Sequence, residues 1–188
     1  MSTVAPLPHS EIKFKLNPQK RLEAILWLVN QGENKLTKYY ILKMLYYAEK
    51  YHLNHYGRPV FGDELSAMHE GPMPSTTYDL FKRVIAGIVK TDFVFGSDDR
   101  TIHASRPANT DYLSATDIKA LKYGLEKCSK LDYPQLKAMS HKEKDYLEAW
   151  NKRGSKGSHP IDLKDAIDTV NQTEDSKFLI QFSKYVKV

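Results

Sequence analysis

Residues 38–56 read KYYILKMLYYAEKYHLNHY, and this run limits the fold more than any other part of the chain. Its apolar side chains fall into three sets at helical spacing. Ile41, Met44, Leu45 and Ala48 share one side with His52. Leu42, Tyr46 and Leu53 take a second, and Tyr40, Tyr47 and Tyr51 a third. A helix that is apolar nearly all round must be packed by several neighbours, so the run predicts a central helix inside a compact helical domain. Lys43 and Lys50, seven residues apart, share its one narrow polar strip. Gly57 ends it.

The flanking sequence supplies the helices that would do the packing. Asn17-Pro18 is a capped start with proline at the first position, and Leu22, Ile25, Leu26 and Val29 follow at helical steps. Gly32 reads as a left-handed cap. Ser75 or Thr76 caps a third helix carrying Tyr78, Phe81, Val84, Ile85 and Ile88. Ser114 with Asp117 opens a fourth, and Tyr133-Pro134 a short fifth. Ser140 to Glu143 has the spacing of a capping box, which predicts a helix start bearing Tyr146, Leu147 and Trp150. One or two helices run from Asp162 to the end, with Phe178, Leu179, Phe182 and Tyr185 as the inner face. Strand signals are few. The stretch DFVFGSDDRTIHASR predicts a small antiparallel β-hairpin. The stretch GRPVFGDELSAMHEGPMP reads as an extended crossing with at most a short strand, ending in a stiff Gly-Pro-Met-Pro corner. The fold class is therefore mainly α with a minor β component. Residues 1–16 read as an irregular arm and 17–188 as one domain.

The function classes narrow by exclusion. Cys128 is the only cysteine, so the chain holds no internal disulfide and no thiolate metal cluster. The first ten residues lack the pattern of a secretory signal, and no window reaches the length of an apolar membrane span. A cytoplasmic location without a membrane partner is the expectation. The net charge of +5 raises nucleic acid as a partner, but 22 lysines against 6 arginines, spread along the chain, fit a solvated surface better. Lys152, Arg153, Lys156, Lys184 and Lys187 are the residues a nucleic-acid regulator would use. Catalytic signatures are missing. Gly57 to Gly62 has phosphate-loop spacing, but Asp63 and Glu64 follow where Lys and Ser or Thr are needed. His52 and His55 are three apart on a helix with no third ligand in step. His69 and Glu70 would project in different directions from an extended segment. The sequence predicts no enzyme, no cofactor and no metal site.

Two blocks carry a family resemblance. The first is LTKYYILKMLYYAEKYHLNHYGRPVFGDELSAMHEGPMPSTTYDLF, with Leu42-Lys43-Met44-Leu45-Tyr46-Tyr47, Gly57-Arg58-Pro59, Ala67 and Gly71-Pro72. The second is AMSHKEKDYLEAW, with Ser140, His141, Glu143 and Trp150. In this order they resemble the Panacea domain, a family of phage-associated, SocA-like antitoxins, over Lys20 to about Thr169. Met73-Pro74 and the long spacing from His141 to Trp150 depart from the pattern. The resemblance implies a helical domain that neutralises a protein toxin encoded by an adjacent gene, through stoichiometric binding. Alternative roles are a nucleic-acid-binding regulator and an adaptor that presents a bound toxin to a protease. On this reading the contact surface lies around the corner, with Lys43, Tyr47, Met68, His69, Glu70, Met73 and Tyr78 as candidates. Gly71, Pro72, Pro74, Ser140, His141 and Trp150 would be its structural motif.

Overall fold

The computed structural model describes residues 12–32, 36–168 and 172–188. Residues 1–11 of the expected arm lie outside them. Residues 12–17 form no regular element, yet Phe14 is buried and packs with Leu53 and Ile180.

The first helix, α1 (Pro18–Gln31), starts as expected: the Asn17 side chain accepts from the Lys20 amide at 3.1 Å. Its end differs. Gly32 has φ −85°, so the chain leaves the helix without a left-handed residue. The second helix, α2 (Lys38–Tyr56), is the central one, with α1 and several later elements packed on it. Its end is the left-handed glycine cap, Gly57 at φ +71°.

The segment read as a crossing contains the first two strands, β1 (Leu65–Met68) and β2 (Gly71–Pro74). They pair antiparallel, from Leu65 opposite Pro74 to Met68 opposite Gly71. The corner is thus half of a hairpin. The third helix, α3 (Ser75–Ile85), follows directly. Neither Ser75 nor Thr76 caps it through its own side chain. Asp63, twelve residues before Ser75, does so from outside: its carboxylate accepts from the amides of Thr76 and Thr77, both at 3.0 Å. Phe81 is buried against Phe93 and Phe95, whereas Ile88 falls beyond the helix and is exposed.

The expected hairpin is present as β3 (Phe93–Phe95) and β4 (Ile102–Ala104). Then comes α4 (Ala115–Ser129), whose capping box between Ser114 and Asp117 is formed in both directions. This helix lies against α2 so closely that a Cβ at Gly124 would stand 2.2 Å from the Met44 carbonyl oxygen. Only glycine permits that approach.

Next are α5 (Tyr133–Ser140), α6 (Lys144–Lys152), β5 (Ser158–Pro160), α7 (Leu163–Ala166) and α8 (Glu174–Gln181). The capping box predicted at Ser140 to Glu143 does not form. Ser140 is the last residue of α5, and its hydroxyl donates back to the Lys137 carbonyl at 3.0 Å. Asp132 and Gln135 make the capping box that starts α5. Strand β5 pairs antiparallel with β1, giving a three-stranded sheet of order β2-β1-β5. The last helix is turned from its expected face. Ser176, Ile180 and Ser183 point inward, Leu179 and Phe182 are half-buried, and Phe178 and Tyr185 are exposed. The fold is mainly helical with a small antiparallel component, as the sequence predicts.

Candidate functional site

The turn of the β1–β2 hairpin is His69-Glu70. Gly71 closes it at φ +92°, a conformation strained for any residue with a side chain. Space excludes a side chain as well. A Cβ on Gly71 would lie 2.6 Å from Lys43 Nζ, 2.7 Å from Ser140 Oγ and 3.1 Å from His141 Cδ2. Four residues from three distant parts of the sequence thus meet at the base of the hairpin.

Lys43 is the centre of this base. It is fully buried, and its amine donates to the Pro72 carbonyl at 2.8 Å. Burial without a paired carboxylate lowers its pKa to about 7. On the neighbouring strand, the Met68 carbonyl accepts from the Tyr146 hydroxyl at 3.3 Å. The Tyr146 ring lies between His141, at 4.8 Å, and a stacked Trp150, at 5.7 Å. Arg153 covers the outer face of Trp150 at 3.5 Å. His141 is held toward its neutral form by burial first, then by the charges of Lys43 and Lys137. The sequence placed this histidine at a helix start. It sits instead just after the end of α5.

The tip has a different character. His69 is exposed, and its Nδ1 lies 2.9 Å from Glu70 Oε1. A turn brings together two side chains that an extended segment would have separated. Lys137 donates to the same oxygen at 3.0 Å, and the Tyr133 hydroxyl donates to the other. The Tyr133 bond, with those of Lys137 and His69, holds the Glu70 carboxyl down at about 2. Tyr133 and Lys137, four apart on α5, were missed. Their helical spacing shows that they share a face, but nothing local in the sequence points that face at Glu70.

The proposed contact set therefore divides. Lys43, Tyr47 and Met73 are interior, at 0%, 2% and 4% exposure, and are no part of an open surface. They were misplaced because the part of α2 that carries Lys43 and Tyr47 is covered by its neighbours, and because all four residues of β2, Met73 among them, are buried. His69 is exposed; Met68, Glu70 and Tyr78 are half-buried. Of the residues read as structural, Gly71, Pro72, Ser140 and His141 assemble around Lys43 and Trp150 lies behind Tyr146, while Pro74 ends β2 opposite Leu65, away from this base.

Two other sequence candidates resolve differently. The rings of His52 and His55 do not converge. His52 is buried between the Arg58 carbonyl, at 2.7 Å, and Asp117, at 3.2 Å, while His55 bonds the Tyr51 carbonyl at 2.8 Å. Among the described residues no three His, Cys, Asp or Glu side chains are grouped to hold a metal. Of the basic candidates, Lys152 lies 3.6 Å from Asp165, and Arg153 is engaged on Trp150. No helix among the described residues is long and apolar enough to cross a membrane.

One family model matches, over residues 41–146, more than half of the chain; its description is antitoxin SocA-like, Panacea domain. No curated protein and no solved structure matches. The matched span runs from the first turn of α2 to Tyr146 and so takes in the hairpin, its base and its tip.

Proposed function

Because the chain belongs to the SocA-like antitoxin family defined by the Panacea domain, we propose that it neutralises a cognate protein toxin by direct stoichiometric binding, without catalysis. The toxin would be the product of an adjacent gene, and the meeting would take place in the cytoplasm. The observation that carries this reading is the hairpin. Its base is fixed by Lys43, Gly71 and Tyr146, while its tip stands at the surface beside α5. A preorganised tip loses little entropy on binding. The exposed and half-buried residues Met68, His69, Glu70 and Tyr78 then form the centre of the contact, with Tyr133 and Lys137 beside them.

The test is titrated co-expression with the product of the neighbouring gene. Rescue of growth should track the amount of this chain and saturate near one copy per toxin. His69→Glu puts a second carboxylate into a side-chain position that is 80% exposed. It should change stability by less than about 0.5 kcal/mol and weaken toxin binding by about tenfold or more, which is about 1.4 kcal/mol. Unchanged neutralisation would place the contact elsewhere on the molecule. Rescue far below equal amounts would favour an enzyme. Rescue that requires a protease and removes the toxin would favour an adaptor.

A further inference from the structure

A cavity of about 420 Å3 opens where the N-terminal arm, the second half of α2, the loop at 59–65 and the segment 159–163 meet. This size lies within the range of small-molecule sites, about 300–1,000 Å3. Part of its wall is apolar: Phe14, Leu53, Leu65 and Ile161. The rest contains two buried carboxylates, Glu49 at 2% and Asp63 at 6% exposure.

Buried carboxylates are costly unless positive charge meets them. Among the described residues, no lysine or arginine pairs with either one. Neutral donors hold them. Glu49 accepts from the amides of Val60, at 2.8 Å, and Phe61, at 3.3 Å. Asp63 accepts from the amides and hydroxyls of Thr76 and Thr77. The cations that reach them through space are engaged elsewhere: Lys20 with Asp117 at 2.7 Å, and Arg21 with the Thr76 hydroxyl at 3.1 Å. Burial, then repulsion from Asp63, holds the Glu49 carboxyl up at about 8. At the rim Glu64 stands against Lys13, and Asp162 is paired with Lys164 at 2.9 Å. A cation entering here would meet Asp63 and Glu64 beside an apolar wall and would draw the proton off Glu49, which gives a buried carboxylate the positive charge it lacks.

We propose that this cavity binds an organic ammonium ion, its apolar body against Phe14, Leu53, Leu65 and Ile161 and its charged nitrogen toward Glu49 and Asp63. The turn-bearing end of the hairpin takes no part, so the site is separate from the proposed toxin contact. Binding is read on the isolated chain, and its outcome is independent of toxin neutralisation.

The experiment titrates the isotope-labelled full chain with phenethylammonium, 2-phenylethanol and phenylacetate, and follows backbone amide resonances. Phenethylammonium should shift Leu53, Leu65 and Ile161 and bind at least tenfold more tightly than the alcohol; phenylacetate should shift nothing. Glu49→Gln keeps the side-chain shape but has no proton to give up to a bound ammonium, and should erase the preference for the ammonium over the alcohol. If that variant does not fold, Leu163→Trp, which narrows the cavity from its rim, should weaken binding of the ammonium at least tenfold. Phenylalanyl-glycinamide carries the same amine on a peptide. Tighter binding than phenethylammonium assigns the site to a peptide amino terminus, and weaker binding to a free amine. Equal affinity for ammonium and alcohol, shifts away from the cavity, or no binding of any probe would overturn the proposal.

Discussion

Lys43 and Lys50 stand two turns apart on the same strip of α2, and the fold surrounds them with opposite chemistry. Lys50 reaches α6. Its amine lies 2.6 Å from Asp145 and 2.7 Å from Glu143, and the Tyr46 hydroxyl donates to Asp145 at 2.7 Å. Burial pushes the Lys50 amine down, but Asp145 and Glu143 more than offset it, and its pKa rises. Lys43 reaches a strand instead. It finds one carbonyl and no paired carboxylate, and its pKa falls to about 7. The difference is one of partner, not of residue or helix. Where α6 supplies charge, the lysine fastens two helices together. Where β2 supplies only backbone, the lysine supports a hairpin and surrenders its proton easily.

The sharpest way to break this contrast is to remove the anion from the paired lysine. Asp145→Ala strands the Tyr46 hydroxyl and leaves Lys50 with Glu143 alone, in a place where the Asp145 side chain is fully buried. Breaking a buried pair in this way should cost about 3–5 kcal/mol, read as a lower urea midpoint. A smaller loss tests the hairpin side. Gly71→Val forces a positive φ and drives a side chain into Lys43 and Ser140, which should cost on the order of 1–3 kcal/mol in the same measurement. A destabilisation within error would mean that the hairpin base yields to a side chain and does not fix the tip.

The smallest effect should come from Lys43→Met, a swap of similar volume that removes an unpaired amine and leaves the Pro72 carbonyl without its donor. At neutral pH the change should stay below about 1.5 kcal/mol. Its signature is the pH profile. Between about pH 7 and 10.5 the unfolded chain keeps a proton on Lys43 that the folded chain has released, so Lys43 makes stability rise with pH across that window. The Met variant should lose this rise. Glu49, six residues further on, acts in the opposite sense. Its folded form holds a proton between about pH 4.5 and 8 that the unfolded chain has lost, so stability falls as pH climbs through that range. Denaturant titrations at pH 6, 8 and 10 on wild type and variant separate the two. An alkaline rise that survives in Lys43→Met would show that another group carries it.

Much of the scaffold was legible because its signals are local. Asn17-Pro18, the apolar run to Gly57 and the Ser114–Asp117 box each lie within a few residues, and each appears where the sequence puts it. What stayed hidden depends on distance along the chain. Strand β5 pairs with β1 across some ninety residues, and prolines on β2 hid the hairpin because proline usually argues against a strand. Pro72 and Pro74 are tolerated here because β2 is an edge strand, with only β1 as partner. Asp63 caps α3 from before the hairpin. Ser140 and Glu143 had the spacing of a helix start, but α5 had already claimed Ser140. At the C-terminal end the aromatic period was real, yet small side chains at Ser176 in α8 and at Ser183 just after it let that face approach the body of the protein, and Phe178 and Tyr185 turned outward. At the site, the meeting of Gly71, Lys43, Ser140 and His141 was foreshadowed only by the family resemblance. The burial of Lys43 was not foreshadowed at all.

The pairing of β5 with β1 also sets an order of events during synthesis. The turn, both hairpin strands and α2 leave the ribosome together, but β1 keeps one open edge until Pro160 has emerged. An open strand edge is a template for any other extended chain. At about 5–20 residues per second, the nascent protein carries that edge for several seconds. Premature termination before Ser158 would make the exposure permanent. Messages cut within α6 should therefore yield insoluble product, even though every residue of the hairpin is present.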